Sequence, residues 1–310
     1  MNTRTVIITG ANAGLGLECA RNLLARRWGE RSDGGNDDSW HVVLAVRNPE
    51  LGAAAIAELG APDRCSVIRC DLASLESVRE FTEAFAAAAL PPLHAIVCNA
   101  GLQTVEPKFT VDGVEMTFGV NHLGHFALVT GLLDRLVAPA RIVVVASGTH
   151  DPAKFTGMPD PHYTSAEELA HPAADAPAEG RRRYTTSKLC NVLFAYELDR
   201  RLGEGAKGVT VTAFDPGLMP GSGLARDYSP SQRFVWRFIA PVLRLLPNVN
   251  STRTSGSRLA ALAVDPAFEG VTGRYYEGAK EIRSSADSYD TAKALDLWAT
   301  SERLVQPVTT

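Results

Sequence analysis

The sequence lacks the features that mark several large classes of protein. No apolar run reaches the roughly 18 residues that a membrane-spanning helix needs. The opening residues MNTRTVIITG contain no long apolar core of a secretion signal. The net charge is −4 and the isoelectric point about 6.0, so the basic surface typical of nucleic-acid binding is also missing. These absences predict a cytoplasmic protein with no nucleic-acid partner.

Cysteine and metal-ligand patterns are sparse as well. The cysteines number five, and none forms a C-x-x-C pair, so neither a disulfide framework nor a zinc site is predicted. They are Cys19, Cys65, Cys70, Cys98 and Cys190. His122 and His125 stand one helical turn apart without a third ligand, and helix packing is the favoured interpretation. No metal is therefore predicted.

Apolar runs and helical patterns alternate along the chain. The runs lie at Thr5–Gly10, His41–Val46, Cys65–Leu72, Leu93–Gly101, Ala140–Ser147 and Gly208–Gly217, with Gly273–Gly278 as a short seventh. They are continuously apolar rather than alternating, which is typical of parallel strands buried on both faces. With the intervening helices they predict one α/β domain over residues 1–310, a Rossmann-like doubly wound parallel sheet of about seven strands with helices on both faces.

Two segments interrupt this alternation. Gly29–Trp40 is polar and rich in glycine, and it predicts an enlarged surface loop whose role is open. Gly148–Arg183 follows the fifth strand and contains five prolines. A loop of this length after a central strand is usually functional or mobile.

A glycine-rich turn, TGANAGLG (Thr9–Gly16), follows the first strand and opens the first helix. Its G-x-x-x-G-x-G spacing lets the backbone approach a pyrophosphate, and the helix N-terminus adds N–H donors and a positive dipole end. A tight turn without a ligand is the alternative. The candidate cofactor contacts here are Gly10, Asn12, Gly14, Leu15 and Gly16.

The ends of the next two strands bear on which dinucleotide binds. Where NAD-binding chains often place an acid, the second strand ends in Ala45 and Val46, followed by Arg47. An arginine suits the 2′-phosphate of NADP(H), which is the predicted cofactor; a solvated surface charge is the alternative. The third strand ends with Asp71 and Leu72, where the carboxylate suits an adenine amine or caps the next helix.

Two later patterns also carry chemistry. The fourth strand ends in Asn99, Ala100 and Gly101, which lets the backbone pass close to a cofactor. Tyr184 and Lys188 lie four residues apart, on one face of a predicted helix. A phenol and an ammonium in that arrangement are either an exposed pair or a proton-transfer device.

Taken in order, these motifs resemble the short-chain dehydrogenase/reductase family. The resemblance rests on TGANAGLG, CDL, CNAG, NHLGHF, a strand ending in Ser147, YTTSK and DPG, and it covers roughly Thr5 to Gly278. Each motif alone is weak, whereas the ordered set is specific. NHLGHF, SKLCNVLFAYELDRRL and the tail AKALDLWATSERLV are similar to the branch of retinol dehydrogenases and light-dependent protochlorophyllide reductases.

The resemblance implies a catalytic tetrad of Asn121, Ser147, Tyr184 and Lys188. Tyr184 would act as the general acid/base. A free phenol has a pKa of about 10, and the charge of Lys188 lowers the cost of its phenolate. Ser147 would hold the substrate oxygen, and Asn121 would hold a water that passes protons to Lys188. Tyr184 and Lys188 are also expected to contact the cofactor, the lysine through the nicotinamide ribose.

The DPG turn is implied to lie over the nicotinamide, with Pro216 and Gly217 as cofactor contacts. Where family members often carry a threonine for the carboxamide, this chain has Gly221, and Ser222 beside it is the candidate substitute. This departure leaves the carboxamide contact open.

The segment after this turn, at about 217–250, is implied to be a substrate lid. Its stretch 233–247 is strongly apolar and carries three arginines. An apolar lid implies a large lipophilic substrate; peripheral contact with a membrane surface is the alternative. A helical tail is expected at about 287–306.

The expected function is NADP(H)-dependent hydride transfer to or from a lipophilic carbonyl or alcohol (EC 1.1.1 type). NADPH-dependent C=C reduction of a large conjugated ring (EC 1.3.1 type) stays open, because both reactions need hydride delivery beside a proton donor. A non-catalytic dinucleotide-sensing protein is the alternative outside enzymes. A homodimer through the Tyr184-bearing helix is expected only by analogy with the family.

Overall fold

Eight strands form one sheet at the centre of the protein. The computed structural model describes residues 3–25, 39–106, 108–173, 179–203, 208–219 and 250–306. The strands are β1 Arg4–Thr9, β2 Trp40–Val46, β3 Cys65–Arg69, β4 Leu93–Cys98, β5 Leu136–Val145, β6 Val209–Asp215, β7 Arg274–Glu277 and β8 Lys280–Ile282. Their order is β3-β2-β1-β4-β5-β6-β7-β8; the first seven are parallel, and β8 returns antiparallel to β7.

Helices cover both faces of this sheet. They are α1 Gly14–Ala25, α2 Pro49–Leu59, α3 Leu75–Ala87, α4 Met116–Phe118, α5 Gly124–Leu132, α6 Ala166–Ala170, α7 Glu179–Leu202, α8 Thr252–Val264 and α9 Thr291–Val305. A π-helical turn, Gly119–Leu123, joins α4 to α5. None of the described helices combines the length and apolarity that crossing a bilayer requires.

The apolar runs form strands because both of their faces are buried. All six residues of β4 are buried, and from Ala95 to Cys98 successive side chains enter opposite cores. One core contains side chains of α3, α5, α7 and α9, and the other contains those of α1 and α8. Each fully buried aliphatic side chain contributes about 1.5–3 kcal/mol to stability. This burial on both faces explains why apolar and polar residues do not alternate along these strands.

The predicted fold class is confirmed: a single doubly wound, mostly parallel sheet with helices on both faces. The strand count is one higher than the seven predicted. The additional strand, β8, is only three residues long and reads Lys-Glu-Ile, with its first two residues exposed, so it had no apolar pattern. It forms through a hairpin with β7, in which Glu277 pairs with Lys280 across a two-residue turn that begins at Gly278, with φ of 59°.

The two irregular segments are partly defined. Of the predicted loop Gly29–Trp40, only Ser39 and Trp40 lie within the described residues, and Trp40 is the buried first residue of β2 rather than part of a surface loop. Within Gly148–Arg183 the chain forms a short turn at Gly148–His150 and helix α6. Helix α7 begins at Glu179, before the predicted boundary at Tyr184.

Candidate active site

The candidate site lies at the carboxyl edge of the sheet, around β1, β4, β5 and β6. The strand order reverses between β1 and β4, because the chain runs outward through β2 and β3 on one side and through β5 to β8 on the other. Such a switch point opens a crevice beyond the strand ends in doubly wound folds. The glycine turn, the segment after β4 and the ends of β5 and β6 all meet this edge.

The glycine turn has the backbone that its sequence predicts. Gly10 and Gly14 take left-handed conformations, with φ of 64° and 58°, which favour glycine. At Gly16 a Cβ would lie 2.7 Å from Asn99 Nδ2 and 2.8 Å from the Gly10 carbonyl oxygen, so no larger residue fits without a shift. Leu15 is buried beneath the turn, and Asn12 is half-buried at its rim. The turn is therefore held close to the segment after β4.

Thr9 ties that segment to β1. Its Oγ1 accepts hydrogen bonds from the backbone N–H groups of Asn99 and Ala100, each at 2.9 Å. The Asn99 side chain returns a bond from Nδ2 to the Thr9 carbonyl at 2.8 Å. These three bonds place Asn99 and Ala100 directly beside the glycine turn.

The residues around this turn fit a dinucleotide. The first turn of α1 contains no acidic side chain, so its free N–H groups and dipole favour an anion. Gly14 is exposed, and no described atom lies within 4 Å of the position its Cβ would take. A phosphate can therefore approach the backbone there. Arg47 is exposed and directly follows β2, the strand after which this type of fold reads the ribose 2′ substituent.

Asp71 and Leu72 lie after β3 at the same edge. Asp71 is half-buried, and its Oδ1 accepts from Ala73 N at 3.1 Å. Helix α3 is capped instead by Ser74, whose side chain accepts from Ser77 N at 3.2 Å. Asp71 is therefore not the N-cap of α3, and capping of that helix does not occupy its second carboxylate oxygen. Leu72 is buried, with its backbone against Gly124 of α5.

Tyr184 and Lys188 occupy one face of α7 and are both buried, at 7% and 4% exposure. The Lys188 ammonium lies 5.7 Å from the centroid of the Tyr184 ring. Its Nζ donates to the carbonyl oxygen of Val145, at the end of β5, at 3.1 Å. Burial lowers the pKa of Lys188 to about 8, and the negative charge of Asp215 partly opposes that shift. Tyr184 and Lys188 are therefore not an exposed pair on the surface of α7.

Asn121 lies in the π-helical turn and is completely buried. Its Nδ2 donates to the Leu102 carbonyl and to Ser187 Oγ, both at 2.9 Å, and its Oδ1 accepts from Leu102 N at 2.8 Å. A Cβ on Gly101 would lie 3.4 Å from Asn121 Oδ1 and 3.6 Å from Lys188 Nζ, so both groups lie beside Gly101. Oδ1 retains the capacity for one more hydrogen bond at this point.

Ser147 follows β5 and is half-buried. It caps the short turn Gly148–His150, and its Oγ accepts from Thr149 N at 3.4 Å. Because that bond is long, the hydroxyl is weakly held within the turn. Ser147, Tyr184, Lys188 and Asn121 thus come from three separate parts of the chain and converge on the end of β5 and the start of the post-β4 segment.

Comparison with known proteins matches this architecture to a family. A model of that family, described as "short chain dehydrogenase", matches residues 4–159, just over half of the chain. The chain belongs to the short-chain dehydrogenase family. The predicted family is confirmed.

Two curated relatives cover nearly all of this short-chain dehydrogenase. A WW domain-containing oxidoreductase of Danio rerio is 35% identical over 99% of this chain and 69% of its own length. A protochlorophyllide reductase of Avena sativa is 34% identical over 97% of this chain and 99% of its own length. The names of these relatives support an oxidoreductase, and the two relatives confirm the predicted branch.

Solved structures share the fold. A crystal structure of an uncharacterized protein from Mycobacterium paratuberculosis is 29% identical, with a TM-score of 0.70, and covers 97% of this chain and 93% of that chain. A blue fluorescent protein from a metagenomic library, solved in complex with NADPH, is 24% identical, with a TM-score of 0.62 over 89% of this chain and 97% of that one. At that identity the second likeness concerns the fold alone.

The DPG turn of this dehydrogenase is only partly described. Gly217 has a φ of 78°, and its N–H donates to Asp215 Oδ1 at 2.9 Å. The Pro216 carbonyl accepts from Ser255 Oγ at 2.7 Å, which anchors the turn on α8. The predicted contact Ser222 lies outside the described residues, as does nearly all of the predicted lid 217–250.

A charged cluster beside the tetrad was not predicted from the sequence. Asp215 is buried at the end of β6, and burial raises its pKa. Its Oδ2 lies 3.0 Å from the position a Cβ on Gly148 would take, and Lys154 Nζ lies 3.8 Å from that same position. Lys154 also bonds Glu277 at 2.7 Å. The only sequence signal for the cluster was the aspartate of DPG itself.

His150 is a second residue that the sequence did not single out. Its Nδ1 bonds the Ser147 carbonyl at 2.7 Å, and its Nε2 accepts from Ser285 N at 3.1 Å. Burial lowers its pKa, and Nε2 carries no proton, because it accepts the N–H of Ser285. His150 therefore anchors the turn that begins at Ser147 to the segment after β8.

The histidines and cysteines lie in packed surroundings. His122 packs among Phe118, Phe126 and Phe194 and bonds Ser301 Oγ at 2.8 Å. All five cysteines are buried and free. Within the described ranges, no group of three or more His, Cys, Asp or Glu side chains is arranged to hold a metal.

Proposed function

We propose that this short-chain dehydrogenase transfers a hydride between NADP(H) and a lipophilic carbonyl or alcohol, with Tyr184 as the general acid/base. The observation that carries the proposal is the buried Tyr184–Lys188 pair, with the ammonium 5.7 Å from the phenol ring and beside Gly101. Burying a lysine costs free energy, so a surface or purely structural pair does not explain this position well.

The bound nicotinamide supplies or accepts the hydride, and the protein residues manage the charge and the proton. When a carbonyl is reduced, negative charge develops on its oxygen. Tyr184 gives that oxygen its proton, and the positive charge of Lys188 stabilises the phenolate that remains. Ser147 donates a hydrogen bond from its weakly held hydroxyl to the same oxygen and stabilises its developing charge, while its own proton stays on the serine. Asn121 Oδ1 uses its remaining acceptor position for a water through which Lys188 exchanges protons with solvent.

The cofactor assignment has two parts. The glycine turn, Asn99–Gly101 and the first turn of α1 fit a nicotinamide dinucleotide, and a structural neighbour was solved with NADPH. The preference for NADP(H) rests on Arg47, which follows β2 where an acid would favour NAD. Asp71 and Leu72 are proposed to contact the adenine, and Pro216, Gly217 and Ser222 the nicotinamide.

The substrate class rests on the sequence of the lid. The stretch 233–247, outside the described residues, is strongly apolar and suits a large lipophilic substrate. Its arginines also suit peripheral contact with a membrane surface. We place the enzyme in the cytoplasm, with a lipophilic small molecule as its partner and with no nucleic acid or metal involved.

A second reaction is favoured by one specific comparison. The protochlorophyllide reductase of Avena sativa is matched over 99% of its own length. The same tetrad can deliver a proton next to a C=C bond that receives a hydride. NADPH-dependent reduction of a large conjugated ring is therefore the second candidate function.

The first experiment follows NADPH oxidation in darkness over a panel of apolar aldehydes and ketones. Wild type is compared with Tyr184→Phe, and NADPH binding is measured for both by fluorescence. We expect turnover to fall by about a thousandfold or more in the variant, in line with loss of a general acid, while the Kd for NADPH changes little. Full turnover by the variant would refute the role of Tyr184.

Two other outcomes separate the remaining candidates. NADPH binding without carbonyl turnover in the wild type directs the test to conjugated C=C substrates under light. Binding without turnover of either substrate class favours the dinucleotide-sensing alternative. Failure to bind NADPH at all would overturn the proposal at its first step.

A further inference from the structure

His125 lies between Thr9, at the start of the glycine turn, and Asn121 of the proposed tetrad, and sequence analysis assigned it only to packing. It is in α5, four residues after Asn121, and only 1% exposed. Its Nε2 lies 2.8 Å from Thr9 Oγ1, and its Nδ1 lies 3.1 Å from the Asn121 carbonyl oxygen. Both ring nitrogens therefore have a partner, and the two partners belong to the two halves of the site.

The proton positions in this chain of bonds follow from counting donors and acceptors. Thr9 Oγ1 already accepts two N–H bonds, from Asn99 and Ala100 at 2.9 Å, which occupies both of its lone pairs. Its own proton must then go outward. His125 Nε2 at 2.8 Å is a closer acceptor than the Val97 carbonyl at 3.4 Å. Nε2 is thus unprotonated, and Nδ1 carries the hydrogen.

The other end of the ring is equally determined. A carbonyl oxygen only accepts, so Nδ1–H donates to Asn121. One neutral tautomer satisfies all four bonds, and a charged imidazolium would place a proton against the Thr9 hydroxyl. Burial lowers the pKa of His125 to about 4, and the nearby charge of Lys188 lowers it as well. The ring is neutral throughout the physiological range.

The Asn121 backbone needs such a tie because it lies in the π-helical turn Gly119–Leu123. A π-helical turn pairs residues i and i+5 rather than i and i+4, and such turns occur inside α-helices, frequently at functional sites. The Asn121 side chain fastens the turn to Leu102 and Ser187. His125 connects the backbone carbonyl of Asn121 to Thr9 of β1. Position and orientation of the catalytic asparagine are then set relative to the cofactor turn.

We propose that His125 is a positioning residue that couples the dinucleotide-binding turn, through the Thr9 hydroxyl, to the catalytic asparagine, through its backbone carbonyl. The inference rests on the proposed function, since it takes the glycine turn as the NADPH site and Asn121 as a member of the tetrad. It adds a residue whose two bonds serve different steps, one for cofactor binding and one for turnover.

Two substitutions separate the two bonds. In His125→Asn, the side-chain amide lies near the former Nδ1 and keeps the donor to Asn121, but it is too short to reach Thr9. In His125→Gln, the amide reaches the former Nε2 position and keeps an acceptor for Thr9, but it loses the bond to Asn121. Each variant removes one hydrogen bond, worth about three- to tenfold in an equilibrium or rate constant.

The expected results differ in kind. His125→Asn should weaken NADPH binding by about three- to tenfold, with kcat at saturating NADPH close to wild type. His125→Gln should bind NADPH like wild type and lose about three- to tenfold in kcat on the best substrate of the panel. Equal changes in both constants for both variants would refute the coupling, because a merely structural histidine would produce that pattern.

A second buried histidine provides the matched control. His94 is 2% exposed in β4 and bonds Arg4 at 3.0 Å, at the amino edge of the same sheet. His94→Asn and His94→Gln should lower the melting temperature without separating NADPH affinity from kcat. If they separate the two constants in the same way, the inference about His125 is wrong.

Imidazole nitrogen NMR tests the inference without any turnover. The protein contains seven histidines, and loss of one signal set in His125→Gln assigns the resonance. We expect a neutral Nδ1–H tautomer that does not titrate between about pH 6 and 8, given a pKa of about 4. An Nε2–H tautomer would overturn the inference. Loss of NADPH binding in wild type would instead refute the proposed function.

Discussion

At the scale of single residues, the site depends on charges that are buried together. Lys188 is charged up to a pKa of about 8, lowered by burial and raised by Asp215. The lysine therefore loses its proton as pH rises through about 8, and reduction that needs the ammonium should decline there. Asp215 is the described acid that opposes this loss, and it also receives the N–H of Gly217.

Asp215→Asn should move the alkaline limb of the pH profile to lower pH. Removing the negative charge lowers the pKa of Lys188 further, while the amide oxygen still accepts from Gly217. The profile of kcat/KM reports the free enzyme and is the quantity to measure. Glu76→Gln is the control, since Glu76 pairs with Arg79 on α3 and does not act on Lys188. An unmoved limb in Asp215→Asn would contradict this electrostatic account.

Arg47→Ala should weaken NADPH binding by roughly ten- to a hundredfold and leave NADH binding nearly unchanged. The reason is that only NADPH offers the 2′-phosphate, and a hydrogen bond to a charged group contributes about 1.5–3 kcal/mol. Both Kd values are measured by fluorescence titration. Arg79→Ala on α3, where the arginine pairs with Glu76 instead, serves as the control. Parallel losses for both cofactors would show that Arg47 does not read the phosphate.

At the scale of elements, α9 packs over α5 and over α7, the helix that contains Tyr184 and Lys188. Trp298 of α9 contacts Phe126 of α5 at 4.9 Å between ring centroids, and Phe194 of α7 at 6.1 Å. The guanidinium of Arg201 lies 4.3 Å above the same indole. A homodimer through the Tyr184-bearing helix stays a prediction, and it would have to use a part of α7 that α9 does not cover.

Trp298→Ala should lower the free energy of unfolding by about 3–5 kcal/mol, the usual cost of removing a buried tryptophan side chain. Chemical denaturation monitored by circular dichroism measures the loss. Leu295→Ala, on the same helix but 45% exposed, should cost far less. Similar losses for the two variants would show that the contacts of the Trp298 indole do not provide the stability that α9 adds.

At the scale of the whole molecule, two cores on opposite faces of one sheet hold the site together. β1, β4, β5 and β6 end at one edge, and each is anchored in both cores. This rigid edge allows short connecting segments to present Asn99, Ser147 and Asp215 without large structures of their own. The alignments with the two curated relatives cover 99% and 97% of this chain, and therefore include both cores.

Much of this could be predicted from the sequence, because the signals are local. Gly10 and Gly14 need left-handed backbone, and Gly16 needs a missing Cβ, so each reveals its conformation by its residue type. Continuous apolar runs predicted the parallel sheet, since two-sided burial demands them. Tyr184 and Lys188 share a face by helical periodicity alone. The order of these motifs was then enough for the family.

The sequence by itself determined the elements, their order and the chemical types at the sheet edge. Only the tertiary structure decided which groups meet: His125 with Thr9 across 116 residues, Lys154 with Glu277 across 123, and His150 with the segment at Ser285 across 135. It also decided the lowered pKa of Lys188, the hairpin with β8 and the place of α9. Propensity and periodicity act over a few neighbouring residues, whereas hydrogen bonds between distant segments and desolvation exist only after the chain has packed.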